Sequence, residues 1–288
     1  MSTKSNWINC AVKPEFSWPN CEVEIPFEDR IVVLQPKKEN LAATASVYDE
    51  AGLSFSDGGA LLFRFLSRLA WSMNGGVVEN YLGGSNHSER PGLMAQGTYG
   101  SSGWSQVDPW KYLYLPKPST EKGELALALY REAMSLNSVP YTFLGYFKIL
   151  NISFSLGSDQ KRWINDNLHH VIWTPETDRI NELKTTESDI GAYLYHQGRC
   201  AVAHAFSNEI VNPDNYDDKR RLDDDLRLMK ALASLCIETE FSIKTDSSFW
   251  ESLKEKPAQR DELLVKNSTK NGRVIYTYYR TADNYSVN

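Results

Sequence analysis

Apolar positions recur with a helical period in the second half of this chain and break into short, aromatic-rich runs in the first. From Gly58 to Met73, the residues Leu61, Leu62, Phe65, Leu66, Leu69 and Met73 follow an i, i+4, i+8 pattern, which predicts a buried helix face. Asn74-Gly75-Gly76 supplies its stop. Cys21–Ile25 and Arg30–Leu34 read as strands closed by Pro26 and Pro36. Residues 83–105 are rich in Gly and Ser with little apolar periodicity, so they read as a long loop, a kind that is often functional.

Pro116-Lys117-Pro118-Ser119 marks a boundary, after which the helical period takes over. Glu121–Asn137 places Leu125, Leu129, Ala133 and Leu136 on one face. Ser138-Val139-Pro140 opens a second helix, with proline in the first turn where its missing N–H costs nothing, running to about Phe154. Asp159–Val171 predicts a third. Thr186-Glu187-Ser188-Asp189 has the form of a capping box, opening a helix through Ile190, Tyr193 and Leu194 to Ala205 or Phe206. Asn212-Pro213-Asp214-Asn215 breaks the chain, and Asp223-Asp224-Asp225 places carboxylates at the start of a last long helix, the end they favour. In the tail, Val274–Tyr279 reads as one strand. The expectation is an α+β chain: a mixed α/β region over 1–118, an all-helical bundle over 119–245, and a tail over 246–288.

Composition narrows the class. Hydrophobic residues make up 41% and aromatics 12%, enough to build a packed core. The net charge of −6 argues against a general nucleic-acid binder, whose phosphate contacts need clustered cations. Local basic pieces remain, at Lys161-Arg162 and Lys219-Arg220-Arg221. Four scattered cysteines lack the spacing of a zinc site. The start of the chain lacks the apolar run of a signal peptide, and no stretch reaches the roughly 20 apolar residues of a membrane span. A reducing cytoplasm with free thiols is the expected location.

The residues with most chemical content are Arg199 and His204, separated by four residues within Gly198-Arg199-Cys200-Ala201-Val202-Ala203-His204-Ala205. An arginine grips two phosphate oxygens through its planar fork, and a histidine moves a proton near neutral pH. Together they suit metal-free RNA cleavage: removing the proton of the 2′-hydroxyl, stabilising the charge on phosphorus and protonating the leaving oxygen. On a regular helix, however, five residues turn about 500°, leaving the two side chains roughly 140° apart. Gly198 can loosen that helix, and two such segments meeting across a dimer axis would pool two Arg and two His. Spacing alone does not choose this pair, because Arg162 and His169 form a similar one.

The late Arg-x4-His in a set of helices resembles the HEPN superfamily. The string Gly198–Ala205, then Asn212-Pro213-Asp214 and Arg221-Leu222-Asp223-Asp224-Asp225-Leu226, is similar to a protein family named after methylamine-utilisation gene clusters. Tyr130-Arg131-Glu132-Ala133 and Phe143-Leu144-Gly145-Tyr146-Phe147-Lys148 support that likeness. The resemblance implies a HEPN-like helical bundle, commonly dimeric, acting as a metal-independent endoribonuclease on RNA (tRNA loops included). It also implies a setting in toxin or phage-defence systems, with a homodimer or a defence-complex partner. Arg199 and His204 take the catalytic positions, with His196 and Cys200 as assisting candidates and no cofactor or metal. Residue 200 is polar in active members, so Cys200 keeps open a non-catalytic HEPN-like module that binds a partner protein or a nucleotide. The region over 1–118 would be the sensor or specificity domain. A third reading places the chemistry between Tyr81 and Trp110.

Bland readings stand beside these. His204 can be a half-buried structural histidine, and Arg199 an ion pair with Asp214 or Asp217. Arg162 and His169 can be a solvated face, and adjacent His169 and His170 point different ways on a helix. Cys200 can be a small core residue despite the cation beside it. Asp214, Asp217 and Asp218 lack the glycine and spacing of a calcium loop. Gly83-Gly84 and Gly100–Gly103 lack the lysine of a phosphate loop. Trp104, Trp110, Tyr112 and Tyr114 fit core packing as well as base stacking.

Overall fold

The computed structural model describes residues 4–38, 41–86, 114–204, 210–212, 215–252, 266–270 and 273–277. The chain is α+β and divides into two compact units, residues 1–117 with 246–288, and residues 118–245. The Asp214 reading, most of the 83–105 loop, Gly100–Gly103, and the aromatics Trp104, Trp110 and Tyr112 lie outside the described residues.

The first unit contains strands β1 (Ser5–Pro14), β2 (Val23–Phe27), β3 (Arg30–Gln35) and β4 (Ala43–Leu53), helix α1 (Phe55–Met73) and strand β5 (Val77–Ser85). Strands β6 (Lys266–Lys270) and β7 (Arg273–Thr277) come from the tail, which therefore supplies two strands where one was expected. Among the described residues the sheet runs β5-β1-β4-β3-β2-β7-β6. Every pairing is antiparallel except that of β2 with β7. Alternate residues share a face: Ile8, Cys10 and Val12, then Val32 and Leu34, then Ala45 and Val47 meet Leu62, Phe65, Leu66 and Leu69 of α1 in one core. Ser54 caps α1 by accepting from the Asp57 N–H, and Asn74 ends it in the left-handed conformation.

Three strands lie where no strand was expected. In β1 and β4 the opposite face is buried as well: Asn9, Thr44 and Ser46 are all below 2% exposed. With both faces buried the polar alternation disappears, and with it the period-2 signal. In β5, Gly83 and Gly84 continue the strand instead of opening a loop. A Cβ at Gly84 would collide with Ser5 on neighbouring β1. Strand Val23–Phe27 also runs through Pro26, which the sequence reading took as its end.

The second unit is helical: α2 (Glu121–Ser135), α3 (Val139–Ser153), α4 (Gly157–Asn167) with a 3₁₀ turn at Leu168–His170, α5 (Thr174–Thr186), α6 (Ile190–Tyr193), a π turn at Leu194–Cys200, α7 (Ala201–Ala203) and α8 (Tyr216–Phe241). A short helix α9 (Asp246–Ser252) belongs to the first unit. α3 packs against both α2 and α8. Phe143, Phe147, Ile149 and Leu150 of α3, Leu127 and Tyr130 of α2, and Met229, Leu232 and Ile237 of α8 are all buried. The Tyr130 hydroxyl contacts Ser234 at 3.3 Å, and burial pushes that phenol up to about 12.

Two helix starts differ from expectation. Thr186 ends α5 instead of opening the next helix, and Asp189 is the cap of α6, accepting from the Ala192 N–H at 2.7 Å. α8 starts at Tyr216 under an Asn215 cap, so Asp217 and Asp218 occupy its first turn, while Asp223–Asp225 lie two turns in. Helix α5 was not anticipated, because only Ile180 and Leu183 of its thirteen residues are buried.

Candidate functional site

A buried polar cluster holds the chain entering the site. Asp225 of α8 is 1% exposed. It accepts from Arg179 Nε of α5 at 2.9 Å and from the Tyr193 hydroxyl of α6 at 2.8 Å. Burial holds the Asp225 carboxyl above its ordinary range, against the pull of Arg179 and the Tyr193 hydroxyl. The same burial, together with the Asp225 charge, pushes the Tyr193 phenol up to about 12. On the other side, Asn165 of α4 donates to Asp189 at 2.8 Å and accepts from the Gly191 N–H at 2.8 Å. These bonds pin α6 between α4 and α8.

From α6 the backbone widens into the π turn Leu194–Cys200. Gly198 lies within it, pressed on Phe143 of α3, where a Cβ would fall within the space of the ring. π turns inside α-helices are rare and frequently mark functional positions. Regular helix resumes for only three residues, Ala201–Ala203. His204 is extended, with φ −129 and ψ 120, and the expected continuation to Ala205 or Phe206 does not occur, because the helix ends at Ala203. The His204 N–H donates to the Cys200 carbonyl at 3.0 Å, and the Val211 N–H to the Ala201 carbonyl at 3.1 Å. The Asn212 N–H reaches Asp218 in the first turn of α8 at 3.0 Å.

Arg199 and His204 consequently meet. Arg199 Nη1 is 3.2 Å from His204 Nε2. A guanidinium only donates, so in this contact Nε2 is the acceptor and a neutral ring carries its proton on Nδ1. Arg199 Nη1 also lies 3.6 Å from Cys200 Sγ. The guanidinium sits over the Tyr195 ring, 5.6 Å from its centre. Both Arg199 and His204 are half-buried, and so is Cys200. The 140° separation of a regular helix does not apply, because the π turn rotates the first residue and the chain leaves the helix at the second.

The other candidates are not gathered here. His196 is exposed, and its ring stands edge-on to Tyr195 at 5.0 Å. Among the described residues no carboxylate forms an ion pair with Arg199. Asp217 is in the exposed first turn of α8. Arg162 is exposed and paired with Asp159 at 2.7 Å, one turn before it on the same helix, away from His169 in the 3₁₀ turn. His169 and His170 lie on the surface with their ring centres 3.9 Å apart and their planes tilted by 40°. Among the described residues no three His, Cys, Asp or Glu side chains are grouped to hold a metal ion. Tyr114 stacks on Phe249 at 4.1 Å within the first unit, a packing role. A cavity of about 430 Å³ opens where α3 begins, lined by Ser138, Tyr141, Thr142, Val202, Asn212 and Lys219 among others, but not by Arg199 or His204.

The sequence reading missed one member of the site. Lys161 of α4 also reaches this constellation, its Nζ 5.6 Å from the centre of the same Tyr195 ring. The signal was Gly157 and Gly191: a Cβ at the first would strike the Tyr195 phenol, and at the second the Lys161 carbonyl.

Among the described residues no helix is long and apolar enough to cross a membrane. No curated protein and no solved structure matches this chain. Residues 126–238, from within α2 to near the end of α8 and including both Arg199 and His204, match the family model of Methylamine utilization protein MauJ.

Proposed function

We propose that this chain is a metal-independent endoribonuclease of the HEPN type. The observation that supports it is the 3.2 Å contact between Arg199 Nη1 and His204 Nε2 on half-buried but reachable side chains. In the resting state Arg199 occupies the lone pair of Nε2. An entering phosphate draws the guanidinium onto its oxygens, where a charge-assisted fork is stronger than a bond to a neutral ring. Nε2 is then free to take the proton of the 2′-hydroxyl. The 2′-oxygen attacks phosphorus, and Arg199 holds the charge that builds on the non-bridging oxygens. The bond from phosphorus to the 5′-oxygen breaks, and that oxygen takes a proton from an imidazolium. Products are a 2′,3′-cyclic phosphate and a 5′-hydroxyl. Two copies sharing one groove would supply a base and a separate acid, which favours a homodimer as the active form. The substrate class is single-stranded RNA, tRNA loops included. A place in a cytoplasmic toxin or defence system follows by analogy with the superfamily.

Cys200 favours a second reading, a HEPN-like module that binds a partner or nucleotide without cutting. The two separate on incubation of the purified full chain with RNA in EDTA. Cleavage with cyclic-phosphate ends, lost in both Arg199→Ala and His204→Ala, supports the nuclease. Intact RNA with wild-type protein, as both monomer and dimer, rejects it.

A further inference from the structure

We propose that Lys161 forms a second phosphate subsite beside the Arg199/His204 pair, taking the backbone phosphate next to the scissile one in a single-stranded RNA, and that Tyr195 is the positioning residue that spaces the two cations. This rests on the reading of Arg199 as a phosphate ligand and extends it to the substrate's neighbouring linkage.

The geometry comes from two separate elements. Lys161 belongs to α4 and Arg199 to the π turn, yet each cationic group lies 5.6 Å from the centre of the Tyr195 ring. The two charges are therefore no further apart than twice that distance. Their spacing is set by packing, not by flexible arms alone. Gly157 leaves room for the Tyr195 phenol, and Gly191 lets the Lys161 carbonyl approach the start of α6. Phe147 packs edge-on against the ring at 6.0 Å.

The charge balance around Lys161 leaves it available. Its neighbour Arg162 is engaged by Asp159 at 2.7 Å. The acid that feels the Lys161 charge is Asp189, but its Oδ1 is occupied by the Ala192 N–H and by Asn165. Among the described residues no carboxylate forms an ion pair with Lys161. Two cations of like sign held over one ring, on a chain of net charge −6, form a local field opposite to that of the whole molecule. A ring face attracts a cation, but weakly; it does not neutralise two. An anion between or beyond them does. Because cations occupy the ring, Tyr195 serves as a spacer and not as a platform for a base.

The test uses the full-length chain in EDTA and a fluorescent 2′-O-methyl oligonucleotide, which has no free 2′-hydroxyl and cannot be cut by this route. Anisotropy gives Kd across a salt series. Each phosphate neutralised on a single strand contributes about 0.7 to the slope of log K against log salt. Lys161→Ala should lower that slope by about 0.7 and weaken binding on the order of fivefold at low salt, with unchanged melting. Lys161→Arg and Tyr195→Phe should restore both values. Tyr195→Leu should lower the slope by more than Lys161→Ala, because it releases both cations. Absence of oligonucleotide binding, or a Lys161→Ala slope equal to wild type, overturns the subsite. The nuclease reading is judged apart: EDTA-resistant cleavage without Lys161 dependence keeps the nuclease and rejects the subsite. Lys161-dependent binding without cleavage keeps the subsite and rejects the nuclease.

Discussion

Replacing Gly198 with alanine tests the mechanical origin of the site. The new methyl would overlap the Phe143 ring, which is fully buried. Overpacking of this kind costs about 1–3 kcal/mol. Alanine returns roughly 1 kcal/mol in helix propensity, so the net loss is about 0–2 kcal/mol. That corresponds to a fall in Tm of at most about 8 °C for a unit of this size. The functional effect should be larger than the stability effect. The π turn must shift away from α3, carrying Arg199 with it, and a displacement of about 1 Å at a reacting group costs on the order of 100-fold in rate. Thermal melting by circular dichroism and RNA cleavage in EDTA measure the two effects. Phe143→Leu makes room for the methyl. Its own cavity cost is roughly 1–2 kcal/mol, but the double variant should be more stable than the sum of the singles by about 1 kcal/mol. Additive losses, or a Gly198→Ala protein that melts at or above wild type with full activity, would refute the argument that this glycine shapes the site.

Asp225→Asn keeps the shape but removes the charge that compensates the half-buried Arg179, so urea denaturation should show a loss of about 3 kcal/mol; a loss below about 1 kcal/mol would mean that water reaches the cluster. Cys200→Ser should leave RNA cleavage within about threefold of wild type, since Cys200 only accepts weakly from Arg199; a drop beyond about 100-fold would identify the thiol as a nucleophile. The carboxyl of Glu28 in the first unit is held below the ordinary glutamate range, chiefly by the Arg64 hydrogen bond. Its folded pKa is the lower one, so its stabilising effect is complete above the unfolded value and fades as pH falls through the folded value. Glu28→Gln should flatten the dependence of melting temperature on pH below about 4.5, and an unchanged acid limb would contradict the Arg64 pairing.

Which parts were legible follows from how each element buries its residues. α1, α3 and the body of α8 each bury an apolar stripe within their own unit, and their periodicity named them; α2 buries Ala126, Leu127, Tyr130 and Ala133, while Leu125 and Leu136 of the expected stripe are exposed. β1 and β4 are buried on both faces, so the alternation that marks a strand is absent from them. α5 buries too little to show a stripe at all. The site posed a different problem. Its two residues were visible as types, yet regular helix geometry set them apart. That objection assumed 3.6 residues per turn throughout, whereas the residue that breaks the regularity lies in the motif itself. Gly198 permits the close approach of Phe143, the turn widens, and the helix ends one residue before His204. Lys161 was noted only as part of a basic pair, because its link to the site depends on two glycines, Gly157 and Gly191, more than thirty residues apart in the chain. A side chain absent from one helix makes room for a side chain of another, and no local pattern records which other. Close approach across elements is thus the information that sequence periodicity lacks. Here it decides which cations share a ring, and so which anion the surface can accept.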